Sequence, residues 1–269
     1  MEAGAGGWSE QRSLLTSDGV RVSAAHRPAR VPDGSGLAYV LAHGFTGTWR
    51  SAGLGRVAAV LSQEAGVVAF DFRGHGRSSG VSTVGDREVH DLAAAVGWAR
   101  LLGYRQVATV GFSMGASVVV RHAALIGGVD AVVAVSGPSR WYYRETAPMR
   151  RLHTVVETPW GRLLARLALR TRIDTRRWNP VPAEPREVVG AIAPTPLLVV
   201  HGDSDLYFPL NHAYELAAQA GPTARLWVEP GFGHAEAAIG PELTRRIAAW
   251  VQASLPAGSP IQEVPDGLR

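Results

Sequence analysis

Three residues in this chain have the types and the order of a nucleophilic catalyst: Ser113, Asp205 and His234. A serine hydroxyl is a poor nucleophile at neutral pH. It needs a base within hydrogen-bond reach, and that base needs a carboxylate to orient it. Ser113 stands in Gly111-Phe112-Ser113-Met114-Gly115, between a strand-like run (106–110) and a helix-like run (116–125). Glycines two before and two after the serine remove the side chains that would collide in so sharp a bend, and the turn pushes the hydroxyl out beyond the strand end. His234 closes Gly231-Phe232-Gly233-His234, after the last strand-like run. Asp205 closes Gly202-Asp203-Ser204-Asp205, five residues past Val200. Asp203, nearer the strand, is a rival acid; Asp205 is preferred because it lies deeper in the loop.

The chemistry also needs two donors for a tetrahedral oxyanion. The Met114 amide is one candidate, delivered at the start of the helix after the nucleophile. The Phe45 amide is the other, on the tight turn His43-Gly44-Phe45-Thr46 after the apolar run 37–42. His43 reads as a brace of that turn and His75 as a structural residue near the entrance. His201 reads as packed. The remaining histidines form no metal-binding spacing and the acids do not cluster, so no metal is expected. The glycine-rich turns lack a dinucleotide or P-loop pattern, so no cofactor is expected either.

These residues must be carried by elements that end at one edge. Residues 37–42, 67–70, 106–110, 131–135, 197–200 and 224–228 are short apolar runs of the kind buried on both faces of a parallel sheet. Helical periodicity separates them over 56–64, 85–102, 116–126 and 211–220, with a closing helix over 241–255. A hairpin precedes them, formed by 10–16 and 20–26 around Ser17-Asp18-Gly19. The alternation predicts an α/β fold with a mostly parallel sheet and ligands at its carboxyl edge.

The alternation breaks between 139 and 193, and a helical cap is expected there. Residues 139–178 hold ten arginines against three acids, a net of +7, whereas the whole chain is +4, so the remainder is about −3. Arg162, Arg166 and Arg170 form one stripe on a predicted helix and Leu163, Leu164 and Leu167 another. The expectation is a solvated arginine face over an apolar underside, the alternative being that some of these arginines line the site or attract anionic acyl substrates, with Trp141, Trp160 and Trp178 either paving an acyl pocket or packing the cap.

Composition narrows the classes. Every one of the 27 basic residues is arginine, which excludes a lysine base or Schiff base. There is no cysteine, which excludes thiol nucleophiles, disulfides and thiolate metal sites. No apolar run reaches 18 residues, and Met1–Glu10 lacks the pattern of a secretory signal, so no membrane span and a cytoplasmic location are expected. The arginine bias goes with abundant Ala and Gly and is not taken as a sign of nucleic-acid binding.

The set His43-Gly44-Phe45, Asp71-Phe72-Arg73-Gly74-His75-Gly76-Arg77-Ser78, Gly111-Phe112-Ser113-Met114-Gly115, Gly202-Asp203-Ser204-Asp205 and Gly233-His234 resembles the α/β-hydrolase superfamily over about residues 10–255. Within it the chain is most similar to capped serine esterases, lipase-like enzymes and serine-aminopeptidase-like enzymes. The resemblance implies an eight-stranded, mainly parallel sheet with an antiparallel second strand. It implies a core over 10–138 and 194–255, a cap over 139–193 inserted after strand 6, and tails over 1–9 and 256–269. It supports Asp205 as the acid. Ser113 departs from the aspartate nucleophile of dehalogenases and epoxide hydrolases, and Ala116 stands where a further glycine is common.

The expected function is hydrolysis of a carboxylic ester or thioester through Ser113, His234 and Asp205, with a small-molecule acyl substrate. Acyl transfer, cofactor-free perhydrolysis and non-catalytic ligand binding on the same fold remain alternatives, and the oligomeric state is unspecified.

Overall fold

The apolar runs pair into one eight-stranded sheet. The structure, a computed structural model, describes residues 7–31 and 36–256. The strands are β1 (Glu10–Leu15), β2 (Arg21–Arg27), β3 (Leu37–Ala42), β4 (Gly66–Phe70), β5 (Gln106–Phe112), β6 (Ala131–Val135), β7 (Leu197–Gly202) and β8 (Ala224–Glu229). Their order across the sheet is β1-β2-β4-β3-β5-β6-β7-β8. β2 runs antiparallel to both of its neighbours, and every other pairing from β4 to β8 is parallel. Apart from Gln106 at the start of β5, strands β3 to β7 are buried along their length, which is why they read as continuous apolar runs rather than alternating ones.

Helices cover both faces. They are α1 (Ala52–Leu61), α2 (Glu88–Leu101), α3 (Met114–Leu125), α4 (Ala147–Glu157), α5 (Pro159–Ala168), α6 (Pro185–Val188), α7 (Asn211–Ala220), α8 (Ala235–Ala238) and α9 (Pro241–Ser254). One core lies beneath α2, α3 and α7, around Phe70, Leu92, Trp98 and Val119. The other lies beneath α1 and α9, around Tyr39, Leu54, Phe112 and Val251. α1 begins four residues earlier than its apolar periodicity suggested, because the Ser51 hydroxyl accepts from the Leu54 amide and caps the helix there. Among the described residues no helix is long and apolar enough to cross a membrane.

Helices α4 and α5 occupy the connection between β6 and β7 and pack closely, the Cβ that Gly161 lacks falling 2.5 Å from the Cα of Val155. The excursion ends sooner than residue 193. Val189 and Ile192, in a 3-10 turn after α6, are buried in the same core as Leu197 and Leu216, so this stretch belongs to the sheet's covering layer. Of the expected tails, residues 1–6 and 257–269 lie outside the described residues. Trp8 is instead buried, its ring 5.3 Å from that of Trp49, and Gln106 donates to the Pro256 carbonyl.

Candidate active site

The turn between β5 and α3 holds Ser113 at φ 53° and ψ −116°, a left-handed conformation that costs energy for a side chain bearing Cβ. Close backbone packing sustains it. A Cβ on Gly111 would lie 2.2 Å from the Gly115 carbonyl oxygen, and one on Gly115 would lie 2.2 Å from that of Ala42. Ala116, in place of a further glycine, is accommodated from the other side: a Cβ on Gly137 would lie 2.7 Å from the Ala116 methyl, so the missing side chain is at 137.

The strand-end loops bring Ser113, His234 and Asp205 into one hydrogen-bonded line. His234 Nε2 is 2.9 Å from Ser113 Oγ, and His234 Nδ1 is 2.8 Å from Asp205 Oδ2. With Nδ1–H given to the carboxylate, Nε2 faces Ser113 Oγ at hydrogen-bond distance, the arrangement base catalysis needs. Asp205 Oδ1 accepts from the Tyr207 and Phe208 amides at 2.8 and 3.1 Å. Its side chain is fully buried. Burial would raise its pKa, but the hydrogen bond and charge of His234 and these two amides outweigh burial and hold the carboxyl below its ordinary value. Asp203, the rival acid, is engaged elsewhere: it accepts from the Gly231 amide at 2.7 Å and from the Ser204 hydroxyl. The Tyr207 ring stacks on His234 at 4.2 Å and fixes the imidazole plane.

Behind the acid lies His201, fully buried, its Nε2–H donating to the Phe208 carbonyl at 2.8 Å and standing 3.6 Å from Asp205 Oδ2. Burial pushes its pKa down.

The turn after β3 is braced from below by two neutral histidines. The Phe72 amide donates to His43 Nε2 at 3.0 Å, and His43 Nδ1–H donates to the Gly44 carbonyl at 2.7 Å. The Thr46 amide donates to His75 Nε2 at 3.1 Å, and His75 Nδ1–H donates to the Arg73 carbonyl. Burial pushes both imidazoles down to about 4, so each ring keeps its acceptor nitrogen at neutral pH. Thr46 sits at φ 63°, a strained value that the His75 bond helps to hold. Asp71 ties this turn to the loop after β4, accepting from Thr48 Oγ, the Trp49 amide, Arg50 and the Arg77 amide. Among the described residues, the Phe45 and Met114 amides donate to no protein group.

One residue of this site was not foreseen. Glu236 lies two beyond His234 and accepts from the Gly44 amide at 3.0 Å. A Cβ on Gly44 would be 3.3 Å from both Glu236 Oε1 and Ser113 Cβ, so the carboxylate flanks the nucleophile. Ala235 at φ 54°, its amide donating to Ser136 Oγ, turns the chain so that His234 and Glu236 both face the site. The His-x-Glu spacing was the sequence signal, but it carries meaning only with that left-handed alanine between.

Trp141 and Trp178 pack at 5.3 Å beside Gly85, next to Met114, with Trp178 Nε1 donating to the Thr83 carbonyl. Trp160 lies apart from them and is exposed. Among the described residues no group of three or more histidines and acids is placed to hold a metal ion.

Comparison with known proteins agrees with this architecture. Residues 39–267 match the model of the alpha/beta hydrolase family. The esterase Pf2001 of Pyrococcus furiosus superposes with a TM-score of 0.73 at 23% identity, over 95% of each chain. The alpha/beta hydrolase GrgF from Penicillium sp. sh18 gives 0.70 at 19%, over 91% of this chain and 98% of that one. The esterase RhEst1 from Rhodococcus sp. ECU1013 gives 0.66 at 19%, over 91% and 99%. No curated protein matches the chain by sequence.

Proposed function

We propose that this chain, which belongs to the alpha/beta hydrolase family, is a serine hydrolase that cleaves a carboxylic ester or thioester through an acyl-enzyme on Ser113. The observation that carries the reading is the continuous line Ser113–His234–Asp205, with contacts of 2.9 and 2.8 Å, at the carboxyl edge of the sheet. Esterases among the structural neighbours are consistent with it.

In the reaction, Ser113 Oγ attacks the acyl carbon as His234 Nε2 takes the hydroxyl proton. Asp205 keeps the imidazole in its Nδ1–H tautomer and stabilises the imidazolium. The acyl oxygen becomes an oxyanion and accepts from the Phe45 and Met114 amides, which are worth on the order of 100- to 1000-fold each in rate. Collapse breaks the bond to the leaving oxygen or sulfur, which receives the proton from His234. Water then attacks the acyl-enzyme, gives its proton to His234, and a second collapse returns that proton to Ser113 and releases the acid. α4 and α5 act as a cap over this edge, and Trp141 and Trp178, beside Met114, form an apolar wall for the acyl group.

The test is turnover of a panel of nitrophenyl esters and acyl thioesters of increasing chain length. Wild-type protein is expected to release acid with a burst of leaving group, and Ser113→Ala to fall by about 10⁴-fold or more. Full turnover by Ser113→Ala would sink the proposal. Transfer of the acyl group to an added alcohol in preference to water would redirect it to acyl transfer.

A further inference from the structure

Helix α5 faces the wrong way for a covering helix. At 100° per residue, Trp160, Leu163, Leu164 and Leu167 fall within an arc of about 100°. Ala165, on the opposite side, is fully buried where α5 packs on α4. The apolar arc therefore points to solvent, with Trp160 80%, Leu164 58% and Leu167 73% exposed. This corrects the expected arrangement of an arginine outer face over an apolar underside.

The charges beside this stripe are unanswered by the protein. Arg166 lies next to it on the helix, and Arg170 follows the helix end in a left-handed turn at φ 49°. Both are exposed, and neither has an acidic partner among the described residues. Glu157 is the sole acid in the sequence from 147 to 170, and it is already held by Arg144 and His153. An exposed apolar stripe flanked by free guanidinium groups is the pattern of a helix that lies in a lipid interface, with its apolar side chains among the acyl chains and its cations at the phosphates.

We propose that α5 docks this protein on an anionic lipid surface, with Trp160, Leu163, Leu164 and Leu167 inserted and Arg166 and Arg170 at the headgroups. A second copy of the chain is a poorer occupant. Two such faces set against each other would oppose arginine to arginine, with only the already paired Glu157 to answer them. An anionic bilayer supplies both the apolar medium and the negative charge. The excursion that carries this surface is anchored beside the candidate site at its start, where Thr146, the N-cap residue of α4, donates its hydroxyl to the carbonyl of Tyr207, whose ring stacks on His234. The surface does not depend on the serine chemistry, and Ser113→Ala is expected to keep it.

Flotation of the full chain with vesicles of phosphatidylcholine alone, or of phosphatidylcholine and phosphatidylglycerol in equal parts, tests this directly. Wild type is expected to float with the phosphatidylglycerol vesicles, and to be released by high salt. Arg166→Gln with Arg170→Gln should weaken binding roughly 30-fold, at about 1 kcal/mol for each arginine near the surface. Leu164→Glu with Leu167→Glu should abolish it. Both positions are exposed, and circular dichroism establishes that the variants are folded. Absence of wild-type binding, binding that ignores phosphatidylglycerol, or wild-type affinity in the leucine variant overturns the proposal. So does a wild-type dimer that the leucine variant turns monomeric without any lipid binding, since the occupant is then a second copy.

Discussion

Glu236 accepts a hydrogen bond from the Gly44 amide at 3.0 Å, so the loop that carries His234 also holds the turn that carries Phe45. A charge-assisted bond of this kind contributes about 1.5–3 kcal/mol. It acts on the placement of the Phe45 amide rather than on substrate in the ground state. Glu236→Ala is therefore expected to lower kcat about 10-fold or more with KM little changed, while Glu236→Gln, which keeps an acceptor oxygen, retains most of the activity. Steady-state kinetics on a cleaved ester decide it; unchanged kcat in Glu236→Ala removes the residue from the account.

Asp205 and Asp203 should respond very differently to the same change. Asp205→Asn leaves the loop intact but favours the wrong imidazole tautomer, and kcat is expected to fall by about 10⁴-fold. Asp203→Asn touches only the Gly231 amide and Ser204, and kcat should stay within a factor of a few. The paired kinetics also separate a structural loop effect from a tautomer effect.

Stability should fall on mild acidification. His43, His75, His122 and His212 are pushed from the ordinary value of 6.5 down to about 4 by burial. As pH falls below 6.5, the unfolded chain binds protons at these residues and the folded chain does not until about 4. The unfolded state is then the greater proton binder, so folding free energy decreases through this window. Asp205, held below its ordinary value of 3.8, adds its own loss only as pH falls further. Urea midpoints measured from pH 7 to pH 4 are expected to drop steadily, and His43→Asn should flatten part of the slope. A flat profile contradicts the buried neutral assignment.

Gly202 fixes the distance between the acid and base loops. A Cβ there would stand 1.9 Å from the Phe232 carbonyl, two residues before His234. Gly202→Ala must displace one loop or the other, at a cost of about 1–3 kcal/mol. Its activity is expected to fall much further than its stability, as read by turnover beside a denaturant curve.

The sheet and the elbow were legible because their signals are local. Buried parallel strands advertise themselves as runs such as 131–135, and a serine between two glycines at a strand end has few other uses. What could not be read was set by contacts distant in the chain. Depth in the loop favours Asp205 over Asp203, but the Tyr207 and Phe208 amides that hold its carboxylate beside His234 were not foreseen. Glu236 gains its role from a left-handed Ala235 that no propensity favours. Periodicity revealed the leucine stripe of α5 but not its direction, which the burial of Ala165 and the exposure of Leu164 and Leu167 establish. Val189 and Ile192 read as part of an insertion because they belong to no strand, yet they fill the core beside Leu216.

The central claim is that Ser113 is the nucleophile, and the most direct measurement is intact-protein and peptide mass spectrometry after treatment with a fluorophosphonate. Such a probe forms a phosphonyl adduct on an activated serine and expels fluoride. The account predicts one adduct on the peptide containing Ser113, its formation slowed greatly by His234→Ala and absent in Ser113→Ala. An unlabelled wild-type protein, or an adduct that persists in Ser113→Ala, would contradict it.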